Sequence, residues 1–243
     1  MLLACHLFIG TLIGYILYRW KGNLLAVPMA MIASILPDIV DKPLGHLLLQ
    51  GTLDNGRIFA HSLLFLGIIG IISIYLWRRN KTLGIALFAG VISHLLLDAM
   101  WSNPTTLFWP LLGSFTQESY PDYFGNAIMA ELTAPSEYAF MLGIVAMIAA
   151  IWNNHLSSRL ANMSNIVLKH RRFIYAIMLF VAFIQVIGAA LTFMNGYDGA
   201  QNEMILAIVL VLGSLTLYKL DPGDIRTNTI SIIDGVEKNE RVP

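Results

Sequence analysis

Charge is scarce in this chain. Asp, Glu, Lys and Arg together make up 12% of its 243 residues, about half the ~25% of an ordinary soluble domain, which excludes a conventional water-facing surface. The 15 basic and 15 acidic residues cancel, so there is no excess positive charge to hold a nucleic acid. Cysteine is almost missing as well, and Cys5 alone excludes an internal disulfide framework. The first eighteen residues contain no Lys or Arg, the reverse of a cleaved signal peptide, so the N-terminal apolar run is expected to be a retained helix. Neither internal repeats nor low-complexity segments stand out. What is abundant is apolar surface: 57% hydrophobic residues and a mean hydropathy of +0.68. This is the composition of an integral, multi-pass membrane protein.

Seven apolar runs can be drawn, at about 2–18, 24–41, 60–77, 83–100, 136–152, 173–194 and 204–218, each near the roughly 20 residues a bilayer crossing needs. The expected fold class is therefore all-α, a polytopic transmembrane bundle of about seven helices. Residues 1–115 form a four-helix core, 116–135 an extracytoplasmic interfacial loop, 136–220 three accessory helices and 221–243 a polar cytoplasmic tail. The longest stretch expected to be non-helical is 101–135. It carries Trp101, Trp109, Tyr120 and Tyr123, the aromatic type that settles at membrane interfaces.

Basic residues set the orientation. Loops on one side of the seven runs hold 13 of the 15, among them Arg19, Lys21, Arg78, Arg79, Lys81, Lys169, Arg171 and Arg172, while the other side holds only Lys42 and Arg57. The positive-inside rule then places the N-terminus outside and the C-terminus in the cytoplasm.

Ionisable residues within the apolar runs are costly, at roughly 2.5 kcal/mol or more each, and mark function. In the first four runs they are His6, Asp38, Asp41, His61, His94 and Asp98. At 1.5 Å rise per residue, His6, Asp38, His61, His94 and Asp98 all fall roughly 17–24 Å from the cytoplasmic ends of their helices, in one extracytoplasmic layer. His94 and Asp98, one helical turn apart, can donate two ligands to one metal, as the paired histidines of a helical zinc motif do. Gly10 and Gly14 extend the His6 face, and Ala86 and Gly90 the His94 face. Such small-residue stripes bring membrane helices close together, aiming both histidines inward. Asp38 reads as a ligand or a general base. Asp41 reads as a ligand or as helix-end turn chemistry paired with Lys42 or water. Arg57 suits a phosphate. His46 reads as an interfacial residue, His155 and His170 as solvated loop residues, and Glu118, Asp122, Glu131 and Glu137 as surface acids.

Together, His6 with Gly10, Leu36–Pro37–Asp38, Arg57 with His61–Ser62, Ser93–His94–Leu95–Leu96–Leu97–Asp98 and Trp109–Pro110 resemble the YdjM-type family. That family is described as predicted membrane-bound metal-dependent hydrolases, with phospholipase as the suggested activity. The resemblance covers about residues 1–115. The family's usual His–Arg–Gly–x–Thr–His–Ser becomes Gly56–Arg57–Ile58–Phe59–Ala60–His61–Ser62 here. Its Pro–Asp–x–Asp becomes Pro37–Asp38–Ile39–Val40–Asp41, which moves the second carboxylate by one residue.

The expected function is a phospholipase-like, metal-dependent hydrolase acting on a membrane-lipid phosphoester at the extracytoplasmic leaflet. Mixed imidazole and carboxylate donors suit zinc first and manganese second. Two alternatives use the same His/Asp cluster: a transporter or ion/proton pathway, and a non-catalytic membrane scaffold.

Overall fold

The computed structural model describes residues 3–153, 158–197 and 199–219. His155 and the polar tail expected over 221–243 lie outside the described residues. Every described element is helical, and each of the seven apolar runs is a helix: α1 (Leu3–Lys21), α2 (Ala26–Pro43), α3 (Leu63–Arg79), α4 (Lys81–Leu97), α7 (Pro135–Trp152), α9 (Arg171–Met194) and α10 (Ala200–Lys219). Three more helices break up the connections: α5 (Pro104–Leu107), α6 (Tyr123–Thr133) and α8 (Ser158–Lys169). The all-α membrane class thus holds, with ten α-helices among the described residues instead of about seven. Of these, α1, α7, α9 and α10 are long and apolar enough to cross a membrane, and α4 is apolar over 17 residues.

The stretch 101–135 departs from expectation because side-chain caps start two helices within it. Asn103 Oδ1 accepts the Thr106 N–H at 3.4 Å to open α5, and Asp122 Oδ1 accepts the Gly125 N–H at 3.2 Å to open α6. Short polar residues at these positions satisfy first-turn N–H groups that a helix leaves unpaired. The helix α8 is amphipathic. Leu160, Met163 and Ile166 face outward, while the hydroxyl of buried Ser164 donates to the Ala149 carbonyl at 2.8 Å.

Two hairpins, α1/α2 and α3/α4, have their turns on one side. Asn23 Nδ2 of the first turn donates to Asn80 Oδ1 of the second at 3.1 Å, and the same Asn80 oxygen caps α4 through the Leu83 N–H. The basic residues Arg19, Lys21, Arg78, Arg79 and Lys81 gather at this end. Between the hairpins, α2 is pressed from both sides, and Ala30 shows how closely. A β-carbon on Gly10 of α1 would lie 2.7 Å from the Ala30 carbonyl oxygen, and one on Gly90 of α4 2.9 Å from the same oxygen. No side chain fits at either position, so the backbones approach as small-residue stripes allow.

Gly90→Leu is therefore expected to force α4 off α2. The cost should exceed the ~1–3 kcal/mol of ordinary overpacking, and thermal unfolding in detergent reads it. Gly67→Leu on α3, where an added β-carbon meets nothing within 4 Å, is the control that should leave the melting temperature unchanged.

The remaining long helices share a core with α1. Phe8 is fully buried against Phe140, 5.5 Å between ring centroids. Glycines open the space for its ring: a β-carbon on Gly143 of α7 would meet Phe8 at 2.6 Å, and one on Gly213 of α10 would also collide with it. Glu137 of α7 and Glu131 of α6 accept the Ala4 and Leu3 N–H groups at 2.7 and 2.6 Å. They thereby pair the open first turn of α1 and fix the height of His6. Outward faces stay apolar, with Phe173, Phe180 and Phe183 of α9 at 61–68% exposure, as a helix facing hydrocarbon requires.

Candidate metal centre

The helix α2 runs through Pro37 as far as Pro43, so Asp38 and Asp41, three residues apart, share one face and Lys42 lies one turn beyond Asp38. Lys42 Nζ donates to Asp38 Oδ2 at 2.6 Å. The expected pairing of Asp41 with Lys42 or water does not form, and Asp41 is fully buried. Its Oδ1 accepts the Ala60 N–H at 2.9 Å, and its Oδ2 accepts the Ile58 and His61 N–H groups at 2.9 and 3.2 Å. These donors open the 3₁₀ turn Phe59–His61, which precedes α3. His61 thus lies before the helix rather than at its start, and Ser62 is the cap, its Oγ accepting the Phe65 N–H at 3.2 Å. Trp109 and Phe115 pack on Phe59, with centroids 5.2 and 5.0 Å away, and hold the turn from the other side.

Two imidazoles are fixed by the groups behind them. His94 Nδ1 lies 2.7 Å from the Ser34 carbonyl oxygen, and His61 Nδ1 lies 2.7 Å from Asp41 Oδ2. A carbonyl oxygen and a carboxylate already accepting N–H bonds can only accept, so both Nδ1 atoms carry the proton. In each neutral ring the lone pair is then on Nε2. The two Nε2 atoms face each other at 3.1 Å. Two lone pairs at that distance repel unless a proton or a metal ion lies between them.

Carboxylates complete the surroundings. Asp38 Oδ1 is 3.6 Å from His61 Nε2 and 3.7 Å from His94 Nε2, and Asp98 Oδ2 is 3.7 Å from His61 Nε2. For an ion about 2.0–2.1 Å from each donor, neighbouring corners of a tetrahedron stand ~3.4 Å apart. The donor atoms of Asp38, His61, His94 and Asp98 all lie within 4.8 Å of one another, and all four residues are buried. Hard oxygens, borderline nitrogens and backing groups on both imidazoles fit a divalent ion such as zinc.

Of the six residues expected to be ligands, the other two adjoin this group. Asp41 stands behind His61. The His6 ring stacks on His94 at 4.1 Å, and its Nε2 lies 3.2 Å from Asp98 Oδ1. Arg57 Nε donates to Asp98 Oδ2 at 2.9 Å. Its two terminal nitrogens have no hydrogen-bond partner among the described residues.

Beside the cluster opens a cavity of about 210 Å³, lined by Lys42, Arg57 and Asp98 together with His46, Glu118, Tyr120 and Tyr123. Sequence reasoning missed His46 and its partners. His46, expected at the interface, is buried, holds Asp54 Oδ1 through Nδ1 at 2.9 Å, and stacks on Tyr123 at 3.6 Å. Its spacing was a usable signal, since Asp38, Lys42 and His46 recur every fourth residue. Asp54 Oδ2 accepts the Tyr120 N–H at 2.7 Å, and this bond, followed by the His46 contact, holds the Asp54 carboxyl below its ordinary range. Glu118, expected as surface acidity, accepts Asn55 Nδ2 at 3.2 Å. The Tyr120 hydroxyl is pushed up to about 12, first by its hydrogen bond with the Glu118 carboxylate and then by burial.

These features define a multi-pass, all-helical membrane protein with a buried His₂Asp₂ cluster spaced for one ion. The chain belongs to the YdjM inner membrane protein family, whose match runs over residues 1–158, from α1 to beyond α7. That reach takes in α7, assigned from sequence to the accessory helices, in keeping with Glu137 anchoring α1. No curated protein and no solved structure matches the chain.

Proposed function

We propose that this protein is a metal-dependent hydrolase that cleaves a phosphoester of a membrane lipid at the extracytoplasmic leaflet. The observation that carries the reading is the pair of imidazole Nε2 atoms facing at 3.1 Å with both protons held elsewhere. Asp38, His61, His94 and Asp98 would hold one divalent ion, zinc first and manganese second. Such an ion supplies a Lewis acid and acidifies water toward neutral pH.

The chain's own groups would do the rest. Asp41 and the Ser34 carbonyl keep the imidazoles in the tautomer that presents Nε2 inward. His6 backs Asp98 and fills the space against His94. Lys42 and Arg57 offset the charge of Asp38 and Asp98, and the open fork of Arg57 is shaped for two phosphoryl oxygens. Lys42 and Arg57 beside the cluster, together with the ion, supply the positive charge that an anionic phosphoryl group needs. The basic loops at the opposite end of the hairpins support the extracytoplasmic orientation.

The test is phospholipid cleavage in mixed micelles by the full chain, with and without chelator. Release of a phosphorylated headgroup or a free phosphomonoester, abolished by chelation and restored by zinc or manganese, is expected. Ion flux in proteoliposomes without any lipid cleavage would overturn the reading in favour of transport.

A further inference from the structure

From the end of α5 onward, the run Leu107 to Leu112 carries no polar side chain except the Trp109 indole N–H. Phe108, Leu111 and Leu112 are exposed, Leu111 to 83%, and contiguous apolar surface of this kind marks a contact. The backbone is paired for an apolar contact. The Thr106 N–H donates to Asn103 Oδ1 at 3.4 Å, and the Leu107, Phe108, Trp109 and Leu111 N–H groups donate to the carbonyls of Asn103, Pro104, Thr106 and Phe108 at 2.8–3.2 Å. Pro110 has no N–H. From Thr106 to Leu111 no backbone donor is left open, the condition for entering a medium without water.

Depth points the same way. The helices α3 and α4 have 17 residues each, about 25 Å at 1.5 Å per residue, against a hydrocarbon layer of ~30 Å. With its basic turn at one interface, this hairpin ends short of the other, and the segment that follows α4 starts at that depth. Apolar side chains there make up the missing height. Trp109 packs on Phe59, four residues before Leu63, and Leu63 and Leu64 open the outward, lipid-facing side of α3. The same segment forms part of the cavity rim. Asn103 lines the cavity, and Thr106 Oγ1 donates to the Arg57 carbonyl at 3.3 Å. At about 210 Å³, the volume of about seven waters, the cavity has room for a headgroup and leaves acyl chains outside.

We infer that residues 107–112 lie in the boundary layer of the bilayer at the site's end, and that a lipid headgroup enters the cavity sideways along them while its acyl chains stay in the membrane. The partner of this surface is the lipid bilayer. The entry route rests on the phosphoester reading, and the placement of the segment does not. Entry from water would expose every methylene of the acyl chains on the way. The rim at Asn103 and Arg57 instead adjoins the apolar segment directly, so the headgroup crosses a short distance and the chains none.

The experiment reads placement and entry separately. The full chain with Leu111→Cys carrying a nitroxide is reconstituted, with chelator, into vesicles of phosphatidylethanolamine and phosphatidylglycerol. Cys5 is buried, and the unmodified chain serves as the labelling blank. The label is expected to be shielded several-fold from a water-soluble nickel chelate and open to oxygen, relative to a label at the exposed Gln117. Equal access of the chelate to both labels overturns the inference. For entry, Leu111→Glu with Leu112→Glu puts two charges on the exposed tip, away from the cluster. Cleavage of vesicle lipid is expected to fall about tenfold or more, while cleavage of the same headgroups on monomeric dibutyryl lipids stays within about twofold. An unchanged rate on vesicles, or an equal loss on both substrates, overturns sideways entry. If vesicles are cleaved while the Leu111 label sits in water, the hydrolase reading stands and this inference falls. If the label is shielded and neither lipid is cleaved, the placement stands and the hydrolase reading falls.

Discussion

His94→Ala is expected to leave the helical bundle assembled while the bound divalent ion falls from one per chain to a small fraction. Lipid cleavage should fall by more than the ~10–100-fold that loss of a partner behind a ligand costs. His94 supplies one Nε2 of the facing pair, 3.1 Å from His61 Nε2, and removing it deletes a donor and also opens space beside the stacked His6 ring. The bundle should survive because the contact between α2 and α4 is made mainly by small residues, with Gly90 lying on Ala30 and Ala33. Circular dichroism and metal analysis on the same preparation check both halves. A helical signal kept together with full metal content would count against the ligand role of His94.

Asp41→Asn is the second large effect, and it should be felt in folding as well as in metal affinity. The Asp41 carboxylate accepts backbone N–H groups from Ile58, Ala60 and His61 and the ring N–H of His61. An amide presents its own N–H₂ to at least one of those donors, and each buried polar group left unpaired costs ~1–3 kcal/mol. The same change removes the acceptor that holds the His61 proton on Nδ1, so the lone pair no longer has to point at His94 Nε2. Metal affinity is expected to drop ~10–100-fold and the melting temperature by several degrees. Asp41→Ala should be worse on stability, because nothing then accepts from the 3₁₀ turn. A melting temperature unchanged by Asp41→Asn would show that the turn does not depend on this carboxylate.

The seven long helices were legible because an apolar run of bilayer length has few other uses, and the runs and helices agree to within a few residues at each end. The short helices were not. Caps such as Asn103 and Asp122 look the same in sequence as the turn residues around them, and the aromatic residues between them mask any helical period. At the site, burial was legible from the cost of placing His and Asp in apolar runs, and so was the layer they share. Roles were harder to read. Asp41 looked half-solvated because the N–H groups that surround it come from residues 17–20 positions later, and no local pattern announces them. His46 reads as interfacial because its partner Asp54 sits on an irregular loop, although its spacing from Asp38 and Lys42 points to the same face. Glu118 reads as ordinary loop surface and Tyr120 as an interfacial aromatic, because the residues 53–55 that tie down the segment around them are distant in sequence.

The central claim is that Asp38, His61, His94 and Asp98 hold one divalent ion. X-ray absorption at the metal edge of the purified full chain, combined with its metal stoichiometry, tests this most directly. The structure predicts one ion per chain with two imidazole nitrogens and carboxylate oxygens at about 2.0–2.2 Å. An ion content far below one per chain after loading, or a shell of oxygens with no imidazole scattering, would contradict it.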